Sequence, residues 1–527
     1  MCRAVITARC LLVLSCLCAA LFGGLACTGE NERTRQTTAA SEALGGEGAR
    51  AEAFTGDAKT RRHPSFRLFS AWLAAFNSGD RERYLAFLEK KFPSRTTVIE
   101  PEMGFREVTG GFDLRKVTSA SETEIKGWVQ ERDSDQFAEF VLWLQLDIDS
   151  AVAVVSGNLK AAKGIKNHVI ADLQLRDIPR PTEFPVERLS EDEALASAEA
   201  LANKRAVAGM FSGAVLVAKD GEILFAKAYG LADRERGIAN TLQTRFRVGS
   251  MNKMFTAVAI LQLEQAGKID LSAPLARYLP DYPNKDVARR VTIHRLLTHT
   301  GGTGDIFGHD FDTHRNELRT LADYVELYGE RGLGSDAGSW AYSNYGFILL
   351  GAVIEKVTRQ SYYDYVRANI FKPAGMTRSG FLPERLAVPD RSVGYMKPPG
   401  ATEWVPNTGT LPYRGTSAGG GYSTVEDLAR FAEALMRHEL LSPDSTELLV
   451  AGKIESWPSA KYAYGFEDSR DAEGNGPVGH GGGAPGMNGD LRIYPKSGYV
   501  VAVLANMDPP AAQRISDYLG PRLPTDG

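Results

Sequence analysis

The sequence predicts an α+β fold: an antiparallel sheet assembled from the two ends of one large domain, helices between those ends, and a small α+β domain in front. Three observations carry this expectation. An apparent hairpin, FSGAVLVAKDGEILFAKAYG (211–230), opens the large domain and turns at Lys-Asp-Gly, and a second, DLRIYPKSGYVVAVLANM (490–507), closes it and turns at Lys-Ser-Gly. Between them the patterns are mostly helical, with 251–266 stopped by Gly267 and a helix after Ser423 whose Ser423 and Glu426 have capping-box spacing. Ahead of the first hairpin, FRLFSAWLAAF and RERYLAFLEKKF read as two helices separated at Gly79, and 137–149 and 167–175 read as strands.

Along the chain, 527 residues are too many for one core, so several domains follow a leader. Arg3 and Arg9 flank the start, and the apolar run CLLVLSCLCAALFGGLA (10–26) has the form of a secretory signal, which predicts export. Two endings compete. Gly24 and Ala26 are the small residues of a cleavage site, giving a signal peptide over 1–26, whereas Gly-Leu-Ala-Cys ending at Cys27 resembles a bacterial lipoprotein box and would attach a lipid there. Its third residue before the cysteine is Gly24, where that pattern prefers leucine. The protein is then periplasmic or lipid-anchored; an uncleaved anchor ranks third, since the run is short for a membrane span. Residues 27–62 are polar and small and read as a flexible tether. The small α+β domain spans 63–178, and its AAFNSGDRERYLAFL resembles the opening of cystatin-like or nuclear-transport-factor-like domains. Pro179, Pro181 and Pro185 mark a linker over 179–195, the main domain covers 196–519, and 520–527 is a tail.

Composition narrows the function. A net charge of −4 with both signs interspersed leaves no basic stripe for nucleic acid, so a small molecule or peptide is the expected partner. Cys2, Cys10, Cys16, Cys18 and Cys27 are all five cysteines and lie in or beside the leader. The folded body therefore has no disulfide, thiolate metal site or cysteine nucleophile.

The chemistry starts at VGSMNK (248–253). Ser250 and Lys253 are three apart, so on a helix they share a face at contact distance. Gly249 permits a sharp turn, a helix start favours an anionic oxygen, and a desolvated lysine can activate a serine hydroxyl.

Two further stretches join this pair. YSN (342–344) follows in GSWAYSNYGFILLGAVIEKVT, and GHGGGAPG (479–486) stands just before the closing hairpin. In this order the three resemble the signatures of the serine β-lactamases and penicillin-binding proteins, nearest to class C β-lactamases and their esterase and D-aminopeptidase relatives. VTIHRLLTHTGG and SAGGGYSTVEDLARFAEAL also look like segments of that family, so the resemblance spans about 212–506. It implies a β-lactamase-like main domain with a helical subdomain, and an acyl-enzyme. Ser250 is then the nucleophile, Lys253 its partner and Tyr342 a general base working as a phenolate stabilised by the lysine charge. Whether Lys253 or Tyr342 takes the serine proton is open. Asn344 holds Lys253 and the substrate amide; His480, Gly482 and Gly483 belong to the substrate-binding strand, and the backbone N–H groups of Ser250 and Gly483 form the oxyanion hole.

His480 departs from the family's lysine. Histidine is mostly neutral at pH 7, which weakens attraction for the carboxylates of penicillins or D-Ala-D-Ala ends unless the site raises its pKa. Of the other histidines, His294 and His299 are expected to pack beside the site. His309 and His314, near Asp305, Asp310 and Asp312, have no zinc-hydrolase spacing. GGTGD (301–305) lacks the lysine of a phosphate loop. No cofactor and no metal are implied. The expectation is an exported serine hydrolase acting on small esters, D-amino-acid peptides or amides, or β-lactams. The alternative is a non-turnover penicillin-binding, cell-wall-binding or sensor protein on the same fold. Oligomeric state and the role of the front domain stay open.

Overall fold

The computed structural model describes residues 58–146, 168–398, 401, 403–457 and 460–525. The leader (1–26), Cys27 and the tether up to residue 57 lie outside the described residues, as does the end of the strand expected over 137–149. The chain divides into two compact units, Met1–Asp177 and Ile178–Gly527.

In the first unit, α1 (Pro64–Asn77) starts with proline in its first turn, where a missing N–H costs nothing. It buries Phe69, Trp72 and Phe76, spaced for one helix face. Gly79, at φ +66°, breaks the chain, and the Asp80 carboxylate accepts the Arg83 N–H to start α2 (Arg81–Lys91). A third helix, α3 (Ile99–Thr109), was not apparent in the sequence, nor were β1 (Phe112–Ala120) and β2 (Glu124–Glu131). With β3 (Phe137–Leu146) and β4 (His168–Ile178) they form an antiparallel sheet in the order β1-β2-β3-β4. Phe69 of α1 stacks on Phe140 of β3 with ring centroids 3.8 Å apart, so the helices cover one face of the sheet.

The second unit opens with α4 (Glu191–Val207). A capping box between Ser190 and Glu193 starts it inside the segment expected to be linker. Next comes the hairpin β5 (Gly213–Lys219) and β6 (Glu222–Tyr229), turning at Asp220 and Gly221, both at positive φ. A helical region follows: α5 (Asn252–Gln265), α6 (Leu321–Tyr328), α7 (Asn344–Thr358), α8 (Tyr362–Val366) and α9 (Val425–Met436). The chain then returns to the sheet through β7 (Ile454–Trp457), β8 (Ala460–Tyr462), β9 (Glu467–Asp468), β10 (Val478–Ala484), β11 (Met487–Ile493) and β12 (Tyr499–Ala505), and ends with α10 (Gln513–Leu519). The eight strands run β7-β8-β9-β10-β11-β12-β5-β6. Ala502 of β12 lies opposite Leu216 of β5, so the two ends of the domain meet in one antiparallel sheet, as the sequence predicts.

Strand alternation divides the core. Val215, Val217, Val501 and Val503 pack with Ala194, Ala198 and Ala202 of α4 on one face. Leu216, Ala502 and Leu504 pack with α5 and α9 on the other. Helix α5 is buried almost all round, which explains why it carries no amphipathic stripe. Two local expectations shift. The cap of α9 is Thr424, accepting from Asp427 N–H, because Ser423 is already engaged in a two-residue strand beside Phe246. The expected tail includes Leu523, buried in the α4 and α10 cluster.

Candidate active site

The site forms where β10 passes the turn before α5. Gly249 sits at φ +53°, and a Cβ there would come within 2.9 Å of Gly483 N. A Cβ on Gly482 would lie 2.0 Å from Val248 O and 3.1 Å from Ser250 N. Only two glycines allow this backbone approach. It brings the amides of Ser250 and Gly483 to one place.

Ser250 lies in the single 3-10 turn Gly249–Met251, and Lys253 one turn on is fully buried. The Lys253 ammonium faces three acceptors: Ser250 Oγ at 3.2 Å, Asn344 Oδ1 at 2.8 Å and Ala418 O at 2.7 Å. Burial lowers its pKa to about 7, against an opposing pull from the Asp305 carboxylate. A neutral amine has two N–H donors and one lone pair. Asn344 and Ala418 take the two shorter contacts, which leaves the lone pair for the Ser250 hydroxyl.

Asn344 opens α7, and its Nδ2 donates to both carboxylate oxygens of Asp305, at 3.0 and 3.1 Å. That orients the amide with Oδ1 toward the lysine. Ala418 O is held by its neighbours: Asn252 Nδ2 donates to Thr416 O at 3.0 Å and Thr256 Oγ1 to Ser417 O at 2.7 Å.

Tyr342 hydrogen-bonds Ser250 through its hydroxyl, and the Lys253 nitrogen stands 4.7 Å from its ring centroid. Burial pushes the phenol above its ordinary pKa. This argues against the expected phenolate: desolvation, joined by the Asp305 and Glu467 charges, outweighs the hydrogen bond with Ser250. Tyr342 is a protonated phenol, a donor at the serine oxygen.

His299 braces this tyrosine on both sides. Its carbonyl accepts the Ala341 N–H at 2.9 Å, its Nδ1 accepts the Ser343 N–H at 3.1 Å, and its ring lies 4.3 Å from the Tyr342 ring. Because Nδ1 accepts, the ring proton is on Nε2. The residue holds φ +58°, a left-handed strain of roughly 1–3 kcal/mol that the surrounding contacts maintain.

His480 is buried, with Nδ1 donating to Gly481 O and Nε2 accepting the Tyr462 hydroxyl at 3.1 Å. Burial foremost, then the Lys253 charge, lowers its pKa to about 3. The site thus lowers rather than raises this histidine, and it is neutral at every pH relevant to catalysis.

The remaining sequence candidates lie elsewhere. His294 Nδ1 meets the Tyr464 hydroxyl at 2.7 Å, and His314 pairs with Glu317. Asp310 pairs with Arg331 and Asp312 with Arg315, while Asp305 belongs to the active site. No group of three or more metal-ligating side chains forms among the described residues. Sequence reasoning missed the roles of Asp305 and Tyr462 and the Ala418 carbonyl. A backbone acceptor has no residue signature, and only the run SAGGG (417–421) pointed to that segment.

A serine hydroxyl between a half-neutral amine and a phenol, with two amides beside it, can open an acyl group and stabilise the oxyanion. The chain belongs to the beta-lactamase family, whose model matches residues 198–522. The penicillin binding protein from Bacillus halodurans has a similar structure, with TM-score 0.55 and 34% identity over 59% of this chain and 96% of that one. A D-stereospecific amidohydrolase from Streptomyces superposes with TM-score 0.52 and 30% identity over 59% of this chain and 94% of its own. Esterase EstB of Burkholderia gladioli is 38% identical over 202 residues, 34% of this chain and 50% of the esterase. The protein is a serine hydrolase of the β-lactamase-related superfamily, with a small molecule or peptide as substrate.

The lysine gives a pH prediction. If the neutral amine serves as the base, kcat/KM for an uncharged ester is expected to rise with pH through an inflection near 7. Asp305 holds the lysine pKa up, so Asp305→Asn moves that inflection to lower pH. A pH-rate profile of both proteins checks it; an inflection that stays or moves upward contradicts the assignment.

Proposed function

We propose that this protein hydrolyses small esters and amides through an acyl-enzyme on Ser250, with Lys253 as general base. The observation that carries this is the buried lysine, its pKa lowered to about 7, with Nζ 3.2 Å from Ser250 Oγ. Ser250 Oγ attacks the substrate carbonyl carbon while its proton passes to Lys253 Nζ. The backbone amides of Ser250 and Gly483 receive the oxyanion. Collapse breaks the bond to the leaving group, which takes a proton from Tyr342, and the Lys253 ammonium replaces it. Water then attacks the acyl carbon and gives its proton to the neutral Lys253 amine, which passes it to Ser250 Oγ as the acyl–oxygen bond breaks.

Substrate preference follows from His480. A neutral imidazole offers no counter-charge to a carboxylate, which favours esters and D-amino-acid amides without one over penicillins. The D-stereospecific amidohydrolase of Streptomyces and the esterase of Burkholderia gladioli, to which this chain is similar, support this class. The described part of the front unit, with three α-helices on a four-stranded sheet, supports the cystatin-like resemblance. The leader supports export, with the chain either lipid-anchored at Cys27 or released into the periplasm after cleavage.

Steady-state turnover of p-nitrophenyl acetate, a D-amino-acid amide and benzylpenicillin by the same preparation tests the reading. The ester or amide is expected to show the higher kcat/KM. A penicillin turned over faster than both would overturn the preference, and acylation without turnover of any of them would favour the sensor alternative.

A further inference from the structure

At the opposite end of α7 from Asn344, the surface opens into a hollow of about 540 Å³. Fifteen residues of helix separate the two ends, about 21 Å of rise, so this is not the acyl site. Four arginines line it, Arg319, Arg359, Arg367 and Arg414, against two carboxylates, Glu355 and Asp364. Asp364 is engaged by Arg367 at 2.8 Å and by the Ser361 hydroxyl at 2.6 Å. Glu355 accepts the Tyr362 N–H at 2.9 Å, and burial pushes its carboxyl up. Arg319, Arg359 and Arg414 have no carboxylate at ion-pair distance among the described residues.

Two of these guanidiniums are held by aromatic rings. Arg414 lies 3.5 Å from the centroid of the buried Tyr363 ring and donates through Nε to Phe381 O, and its Nη groups have no acceptor among the described residues. Arg319 stands 5.5 Å from the Tyr413 ring. A second observation reports the local field. Burial raises the pKa of many tyrosines in this chain, but Tyr413 is lowered, first by a hydrogen bond from Arg385 and then by the charges of Arg385, Arg319 and Arg414. Four cations against two carboxylates leave an excess of positive charge in the hollow, and a planar guanidinium fork matches an oxyanion through two parallel hydrogen bonds. The hollow is also wider than one phosphate requires.

We propose that this hollow is a binding site for an oligoanion bearing two or more phosphate groups, whether soluble or presented as clustered phospholipid headgroups. The fixed Arg414 anchors one group, and Arg319 and Arg359 at the rim take the next. Arg414 also begins the segment that delivers Ala418 O to Lys253, so ligand bound here sits on the rear support of the active site.

Calorimetric titration of the purified protein with sodium tripolyphosphate at low salt tests the site, beside the double variant Arg319→Gln/Arg359→Gln. Both side chains are exposed and outside the catalytic machinery, so the variant should keep the wild-type thermal melt. Saturable binding is expected, weakened about tenfold or more in the variant, roughly 1.4 kcal/mol or more, and weaker still for orthophosphate. It should also fall as salt rises. Flotation with phosphatidylglycerol vesicles then separates the sources. Capture lost in the variant assigns the phosphates to a lipid surface, and no capture beside tripolyphosphate binding assigns them to a soluble ligand. No saturable tripolyphosphate binding, or equal affinity in wild type and variant, overturns the proposal.

Discussion

Lys253→Met is expected to lower kcat/KM for an uncharged ester by about a thousandfold, within the range that a positioned general base contributes. Methionine keeps the length and apolar packing of the buried stem but removes the nitrogen that accepts the serine proton. It also leaves Asn344 Oδ1 and Ala418 O without their shared donor. Each such buried acceptor costs roughly 1–3 kcal/mol, so the variant should also melt earlier. The two effects separate by measurement: single-turnover acylation at a temperature where circular dichroism shows a folded variant isolates the chemistry. A folded variant that still acylates within about tenfold of wild type would remove Lys253 from the base role.

Gly482→Ala is expected to lower kcat by about 10²–10³-fold through the backbone alone, the usual cost of losing an oxyanion-hole donor. The new Cβ would lie 2.0 Å from Val248 O and 3.1 Å from Ser250 N. Neither is the end of a flexible side chain, so β10 must move away from the Ser250 turn and carry the Gly483 amide with it. The Ser250, Lys253 and Tyr342 side chains remain present in this variant. Stopped-flow acylation compared with thermal melting checks it, and a kcat unchanged in a folded variant would place the oxyanion elsewhere.

Much of this was legible in the sequence because it is local. Ser250 and Lys253 share one helix turn, the glycines of GHGGG lie on one strand, and each terminal hairpin carries its own turn residues. Joining β12 to β5 followed from seeing hairpins at both ends. What escaped depends on segments distant in sequence. The partners of Lys253 come from residues 91 and 165 positions away, and one of them is a carbonyl. Asp305 looked like one of several loop acids until the fold set it against Asn344. The lowered lysine follows from the desolvation the sequence suggests, but the phenol also lies buried, and burial moves it up and away from a phenolate. In the front unit, β1 and β2 were missed because their outer faces carry charged and polar residues, as in FDLRKVTSA, which blur the alternation.

The central claim is that Ser250 is an activated nucleophile, and intact mass spectrometry after brief exposure to a fluorophosphonate tests it most directly. The account predicts one adduct on the wild-type protein at pH 8, where Lys253 is largely neutral, and none on Ser250→Ala. A folded wild-type protein that takes no label, or a Ser250→Ala variant that takes it equally, would contradict the account.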